Sequence, residues 1–158
     1  MTPDTSVMLN DGRTIPRLGF GVWRLEDADA EPLVGAAIDV GYRHIDTAQG
    51  YGNEAGVGRA IRESSAPREE LFITSKLRNG DQGFDSARRS FDGTMDRLGI
   101  DVLDLFLIHW PTPARGLYAE TWKAFVALQT EGRVRSIGVS NFLPEHIERI
   151  VGETGVTP

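Results

Sequence analysis

Residues 71–110, LFITSKLRNGDQGFDSARRSFDGTMDRLGIDVLDLFLIHW, place one amphipathic stretch between two short apolar runs. The apolar runs are Leu71 to Lys76 and Asp104 to Trp110. The stretch from Asp85 to Gly99 lies between them and ends on a glycine, as helices commonly do. A strand, a helix and a second strand that begins about 30 residues after the first are typical of a βαβ unit, in which the strands run parallel. This segment therefore predicts a parallel sheet covered by helices.

The same alternation extends along the rest of the chain, with apolar runs that begin about 30 residues apart. The further runs are Leu18 to Trp23, Tyr42 to Asp46 and Val134 to Asn141. The further amphipathic stretches are residues 31–41, 53–63, 119–132 and 143–155. Ahead of them, Asp11 and Gly12 separate two short apolar pieces and predict a β-hairpin over residues 7–16. We therefore predict an α/β fold with an N-terminal hairpin.

Two arrangements of a parallel sheet are open, a doubly wound sheet and a barrel. A doubly wound dinucleotide-binding sheet is signalled by G-x-G-x-x-G after its first strand, and neither GFGVWR at 19–24 nor GVGRAI at 56–61 has the third glycine. Each apolar run instead ends on polar or aromatic residues: Trp23, Asp46, Lys76, His109, Trp110, Ser140 and Asn141. In a (β/α)8 barrel the carboxyl ends of all strands face one active site. The strand endings therefore favour the barrel.

Composition excludes several classes of function. The chain has 158 residues, 40% of them hydrophobic and 25% charged, which is typical of one soluble globular domain. Its 17 Lys and Arg against 23 Asp and Glu give a net charge of -6, which opposes nucleic-acid binding. It contains no cysteine, which suits a reducing compartment. The N-terminus shows no signal peptide and no run approaches the roughly 18 apolar residues of a membrane span, so we expect a cytoplasmic protein.

Asp46, Tyr51, Lys76 and His109 form the candidate catalytic group. Each has an ordinary structural interpretation: a turn cap, a half-buried aromatic, a solvated lysine and a core histidine. Gathered at one end of a sheet, they also suit proton transfer. A phenol is a poor acid near pH 7 unless a cation stabilises its ionised form, as Lys76 could do while paired with Asp46. Tyr51 would then protonate a carbonyl oxygen bonded to His109, and a cofactor would have to supply the hydride.

Five motifs in order resemble those of the aldo-keto reductase family, and the resemblance extends from Val7 to Pro158. The motifs are GFGVW, GYRHIDTAQGYGNE, LFITSKL, DLFLIHWP and GRVRSIGVSNF. The resemblance implies a (β/α)8 TIM barrel, reduction of aldehydes and ketones to alcohols, and NADPH or, less often, NADH as cofactor. It also implies that Asp46, Tyr51, Lys76 and His109 are the catalytic tetrad, with Tyr51 as the general acid.

The resemblance further implies a cofactor site and a substrate pocket. The residues implied at the nicotinamide end of the cofactor are Gly21, Val22, Asp46, Ser140 and Asn141. Trp23 and Trp110 match aromatic walls of the substrate pocket, and no metal is implied. Arg78 stands close after Lys76, where many members of the family carry a tryptophan or another large group. We hypothesise that Arg78 opens the pocket or favours anionic substrates.

A barrel of this kind needs about 250 residues, whereas the pattern here counts five units. We therefore predict one incomplete barrel domain over residues 1–158, truncated to about five β/α units, which self-association or a complementing C-terminal segment would complete. One alternative is a non-catalytic, truncated or regulatory aldo-keto-like fragment. Another is a metal-dependent barrel hydrolase that uses His44, Asp46, His109 and a modified Lys76. The sequence specifies neither the small carbonyl substrate nor the choice between NADPH and NADH.

Overall fold

The computed structural model describes residues 5–158, whose strands form two sheets. The antiparallel pair consists of β1 (Ser6–Met8) and β2 (Thr14–Pro16). The parallel sheet consists of β3 (Phe20–Gly21), β4 (His44–Asp46), β5 (Phe72–Leu77), β6 (Leu103–Ile108) and β7 (Val134–Val139). The strands lie side by side in chain order, β3-β4-β5-β6-β7. A doubly wound sheet would reverse direction at a switch point, so this order is that of a barrel wall.

A helix follows each strand of the parallel sheet. The helices are α1 (Asp27–Asp39), α2 (Glu54–Glu63), α3 (Phe84–Leu98), α4 (Tyr118–Thr130) and α5 (Pro144–Thr154). The core lies between the helices and one face of the sheet. Phe106 of β6 is fully buried there, with its ring stacked on Phe125 at a centroid distance of 4.7 Å and edge-on to Phe91 at 5.1 Å. Because side chains alternate along a strand, residues such as Asp46 and Lys76 lie on the opposite face.

The structure confirms the five strand–helix units and the N-terminal hairpin, with shifts at some boundaries. Gly12 in the hairpin turn has a left-handed φ of 82°, which glycine adopts without strain. Helix α1 begins at Asp27, four residues before the amphipathic stretch starts at residue 31. Strand β6 ends at Ile108, so His109 and Trp110 follow the strand instead of ending it. Pro111 comes next and has no N–H to continue a ladder.

Strand register brings the candidate site together at the carboxyl edge. Asp46 lies opposite Thr74 of β5, and Lys76 stands two residues further along the same strand. The lysine, which lies opposite Leu107, is therefore one side-chain layer nearer the carboxyl edge than the aspartate. The N–H of His109 donates to the carbonyl of Leu77 at 3.3 Å, which extends the β5–β6 pairing by one step. Among residues 5–158, no helix is both long and apolar enough to cross a membrane.

Helix α2, which follows the Tyr51 loop, packs unusually close to its neighbours. A Cβ at Gly56 would collide with the main-chain carbonyl of Asp27, and a Cβ at Gly58 would collide with that of Leu98. Both glycines are therefore required for the contact of α2 with α1 and α3. This contact fixes the position at which the loop bearing Tyr51 re-enters the core.

Candidate active site

Three of the four candidate catalytic side chains meet around the Lys76 ammonium. Nζ of Lys76 donates to Oδ1 of Asp46 at 2.5 Å and to the carbonyl of Thr47 at 3.0 Å. The same nitrogen lies 3.5 Å from the hydroxyl of Tyr51. The Lys76 side chain is only 9% exposed, whereas the Asp46 side chain is 32% exposed. A largely buried cation therefore lies between a carboxylate and a phenol.

The fourth candidate, His109, contacts the ring of Tyr51. The two rings meet edge to face with centroids 5.8 Å apart and an interplanar angle of 77°. Burial lowers the pKa of His109, and the positive charge of Lys76 lowers that pKa further, while the carboxylate of Asp46 opposes the shift. The imidazole is accordingly neutral at pH 7, with one nitrogen as a donor and the other as an acceptor.

Lys76 is held at its level by bonds made on the opposite face of β5. The hydroxyl of Ser75 donates to Oε1 of Glu54 at 2.5 Å. Glu54 is 1% exposed, and its other oxygen accepts from Nε of Arg97 at 2.7 Å. Strand β5 is thereby tied to the first residue of α2 and to α3. These bonds fix the height of Lys76 relative to the Tyr51 loop.

Two fully buried polar residues, which the sequence interpretation did not single out, anchor the loop that carries Tyr51. Oγ1 of Thr47 donates to Oδ1 of Asn53 at 2.8 Å. Nδ2 of Asn53 donates to the carbonyls of Val22 at 2.8 Å and Leu25 at 2.9 Å. One feature of the sequence could have identified them. Both residues bracket the loop, and the only apolar residue between Asp46 and Tyr51 is an alanine. Such a loop depends on polar anchors because it has almost nothing to insert into the core.

The residues expected near a nicotinamide lie at the same edge, and all but one of them are exposed or partly exposed. Ser140 and Asn141 directly follow β7, and Nδ2 of Asn141 donates to the carbonyl of His109 at 2.8 Å and to Oγ of Ser140 at 2.9 Å. Asn141 has a left-handed φ of 62°, a conformation that asparagine tolerates better than most residues. Gly21 is exposed at the end of β3. The side chain of Val22 is fully buried and its N–H and carbonyl both bond within the protein, so the geometry favours Gly21 over Val22 for ligand contact.

The two tryptophans expected at the substrate pocket stand at the rim. Trp23 follows β3 and is 64% exposed, and Trp110 follows β6 and is 49% exposed. The guanidinium of Arg24 lies 4.2 Å from the centroid of the Trp23 ring. Arg78 does not present a free charge, since its guanidinium donates to both oxygens of Asp81, at 2.7 and 3.3 Å. A substrate anion would have to compete with that carboxylate.

Three of the four residues invoked for a metal-dependent hydrolase, His44, Asp46 and Lys76, have other partners. Nε2 of His44 lies 3.0 Å from Oγ1 of Thr74, and burial lowers the pKa of this histidine. Asp46 is bonded to Lys76. Among residues 5–158, no group of three or more His, Cys, Asp or Glu side chains is arranged to hold a metal ion.

Comparison with known proteins gives one consistent family. The model of the Aldo/keto reductase family matches residues 17–158. An aldo-keto reductase of Mycolicibacterium smegmatis is 52% identical over 152 residues, which cover 96% of this chain and 55% of the relative. An aldo/keto reductase structure from Brucella melitensis matches with a TM-score of 0.94 and 53% identity, covering 97% of this chain and 60% of that one. A mutant of Gox0644 crystallised in complex with NADPH matches with a TM-score of 0.93 and 47% identity, covering 98% and 55%.

The chain thus spans just over half the length of the curated relative. The likeness confirms the predicted fold class, a (β/α)8 barrel of which this chain carries five β/α units and the hairpin.

Proposed function

From the premise that this chain belongs to the aldo/keto reductase family, we propose that it performs the proton transfer in an NADPH-dependent reduction of aldehydes and ketones to alcohols. The observation that carries the proposal is the position of the Lys76 ammonium, which is bonded to Asp46 and lies 3.5 Å from the Tyr51 hydroxyl. Since the chain spans 55% of the curated relative, the activity of the whole protein is part of the proposal.

Tyr51 is the proton donor in this scheme. As the carbonyl carbon is reduced, negative charge develops on the carbonyl oxygen, and the phenol transfers its proton to that oxygen. The phenolate that remains is stabilised by the ammonium of Lys76. Asp46 keeps the ammonium in place through the 2.5 Å bond, and the carbonyl of Thr47 takes up another of its donors.

His109 orients the substrate. A neutral imidazole can donate one N–H to the carbonyl oxygen without competing for the proton that Tyr51 delivers. Its pKa is lowered by burial and by Lys76, which keeps it in this neutral form. The edge-to-face contact with Tyr51 supports this role, because it keeps the two side chains next to each other. Trp23 and Trp110, partly exposed at the rim, are proposed to shield the carbonyl compound from water.

NADPH, when bound, supplies the hydride that reduces the carbonyl carbon. The donor set fits its nicotinamide end. Both side-chain N–H groups of Asn141 are used within the protein, but its Oδ1 can accept from the carboxamide N–H, and the hydroxyl of Ser140 can donate to the carboxamide oxygen. Exposed Gly21 and partly exposed Asp46 lie at neighbouring strand ends. We propose NADPH over NADH because a relative that is 47% identical was crystallised with NADPH.

The test is NADPH oxidation by the 158-residue chain with a reactive aromatic aldehyde, run with wild type, Tyr51→Phe and a control, Tyr42→Phe. Tyr42 precedes β4 at the other end of the sheet, where its ring meets Phe20 edge-on at 5.8 Å. Loss of a general acid should lower kcat by about 10²-fold or more in Tyr51→Phe. Tyr42→Phe should retain wild-type kcat. Equal rates in wild type and Tyr51→Phe would remove Tyr51 from the mechanism.

Cofactor binding is measured separately, by quenching of tryptophan fluorescence. A wild-type chain that neither oxidises NADPH nor binds it would support the alternative of a non-catalytic aldo-keto-like fragment. Sedimentation in the assay buffer tests whether a second copy completes the sheet. Within residues 5–158, each of the edge strands β3 and β7 has one neighbour.

A further inference from the structure

Tyr51 lies in the sequence Gln-Gly-Tyr-Gly-Asn, residues 49–53, so a glycine flanks it on each side. Gly50 is exposed, and Gly52 has a left-handed φ of 73°. Glycines restrict the backbone least of all residues and contribute no side-chain packing. Besides its own contacts with the core and with His109, the position of the Tyr51 ring therefore depends on whatever holds the two residues beyond the glycines. Asn53 is held by its bonds to Thr47, Val22 and Leu25.

Gln49 is held on the opposite side of the loop. It begins the short 3-10 turn Gln49–Tyr51. Its Nε2 donates to Oγ1 of Thr94 at 2.8 Å and to the carbonyl of Ser90 at 3.1 Å, both on α3. Its Oε1 accepts from the N–H of Arg78 at 3.0 Å. Both donors of the amide and at least one of its acceptor sites are used.

The bond to Arg78 connects the two halves of the proton-transfer pair. Arg78 directly follows β5 and stands two residues after Lys76. One amide therefore links the turn that carries the phenol to the strand end that carries the ammonium. The receiving side is itself braced, because Oγ of Ser90 donates to Asp81 at 2.6 Å and Asp81 pairs with the Arg78 guanidinium.

We propose that Gln49 is a positioning residue that keeps the Tyr51 hydroxyl within reach of Lys76 Nζ. Its effect on rate rests on the proposed function, whereas its effect on the place of the ring does not. Without the amide, the turn keeps its anchor at Asn53 and loses the one at Gln49. The ring can then pivot between the two glycines, and the separation of phenol and ammonium is no longer fixed at 3.5 Å.

The first arm of the test is kinetic. Gln49→Met keeps the length of the side chain and removes its donors and acceptor. A misplacement of about 1 Å in a reacting group can lower the rate about 100-fold, so we expect kcat to fall by about 10- to 100-fold. The KM for the aldehyde and the Kd for NADPH should change less than about twofold, since Gln49 is not expected to touch either ligand. Gln49→Glu keeps an acceptor for the Arg78 N–H and should recover part of kcat.

The matched control is Gln129→Met. Gln129 lies on α4, is partly buried like Gln49, and donates one bond to the carbonyl of Arg135 at 3.2 Å, near the amino end of β7. Gln129→Met removes a comparable side-chain amide and should leave kcat and KM at wild-type values. Equal kinetic losses in the two methionine variants would overturn the proposal, because they would indicate a general structural effect.

The second arm of the test monitors the environment of the Tyr51 ring directly. The ring signals of Tyr51 in a ¹H–¹³C NMR spectrum are assigned by their loss in Tyr51→Phe. We expect Gln49→Met to shift or broaden these signals and Gln129→Met to leave them unchanged. Unchanged Tyr51 signals in Gln49→Met would overturn the proposal whatever the rates. If the wild-type chain shows no turnover, the proposed function fails, and the ring signals alone decide the role of Gln49.

Discussion

Replacement of Lys76 by methionine tests the central electrostatic claim of the mechanism. Methionine keeps most of the length and apolar stem of lysine and removes the ammonium. That ammonium bonds to Asp46 and Thr47 and lies 3.5 Å from the Tyr51 hydroxyl. In the proposed reaction it faces a full negative charge only after Tyr51 has given up its proton. The substitution should therefore raise the energy of the transition state more than that of the bound substrate.

The size of the effect follows from the geometry. Opposite unit charges 3.5 Å apart attract by about 5 kcal/mol at an effective dielectric of about 20. Water that replaces the ammonium recovers part of this energy, so we take about 3 to 4 kcal/mol as the net loss, or a fall in kcat of about 10²- to 10³-fold. The buried carbonyl of Thr47 also loses a donor, which should lower the free energy of unfolding by about 1–3 kcal/mol.

The assay compares NADPH oxidation by wild type, Lys76→Met and the control Lys123→Met, at a temperature where urea titration shows all three folded. Lys123 pairs with Glu120 and Glu153 on the helical surface, so its loss should leave kcat unchanged. If Lys76→Met kept more than about a tenth of the wild-type kcat, the ammonium could not be stabilising a phenolate. The same variant should raise the pKa of His109, because Lys76 lowers that pKa and Asp46 raises it. An NMR titration of the imidazole in both proteins measures this shift.

Three further predictions concern specificity, packing and pH. Asp81→Asn frees the Arg78 guanidinium and should raise the ratio of turnover of an anionic aldehyde to that of a neutral aldehyde. Arg78→Ala should lower the same ratio. Equal ratios in wild type and both variants would remove Arg78 from substrate selection. Phe106→Ala should lower the free energy of unfolding by about 3–5 kcal/mol in urea, because the ring is fully buried; a loss under 1 kcal/mol would contradict this packing. In the folded protein, burial lowers the pKa of His44 below its ordinary value of 6.5. As pH falls, the unfolded chain therefore binds a proton at this histidine before the folded chain does, and the free energy of unfolding should decline from about pH 6.5 downward. His44→Gln should make the urea midpoint less dependent on pH between 7 and 5.5, and an unchanged slope would exclude His44 as the cause.

The order of strands and helices was predictable because it depends on local patterns. Apolar runs of strand length alternate with amphipathic stretches, and five such units leave few arrangements other than a parallel sheet. The start of α1 was not predictable in this way. Asp27 belongs to the helix, and its carboxylate accepts from the Gly56 N–H at 2.7 Å and from Arg59 at 2.9 Å. Both partners lie on α2, about 30 residues away, so no local pattern contains them.

The candidate catalytic residues were predictable for a geometric reason. Asp46, Lys76 and His109 lie at or next to the ends of three consecutive parallel strands, and the carboxyl ends of such strands share one edge. The pairing of Lys76 with Asp46 was also expected, but the further bond of Lys76 to a main-chain carbonyl was not. The lysine bonds to the aspartate of the neighbouring strand and to the carbonyl of the residue after it, and both bonds depend on register.

The residues that hold the Tyr51 loop in place could not be identified from apolar periodicity. The anchors of the loop are amides, most of whose partners lie 28 to 45 residues away, in the loop before α1, directly after β5 and on α3. A buried amide that loses its partners costs about 1–3 kcal/mol, so these bonds form together with the native packing of α1, α2 and α3. A loop with glycines around its reactive side chain can then be as well fixed as one that inserts apolar groups. Polar residues that bracket a reactive side chain where apolar anchors are missing are therefore the signal to look for. In this chain that signal identifies Gln49 and Asn53.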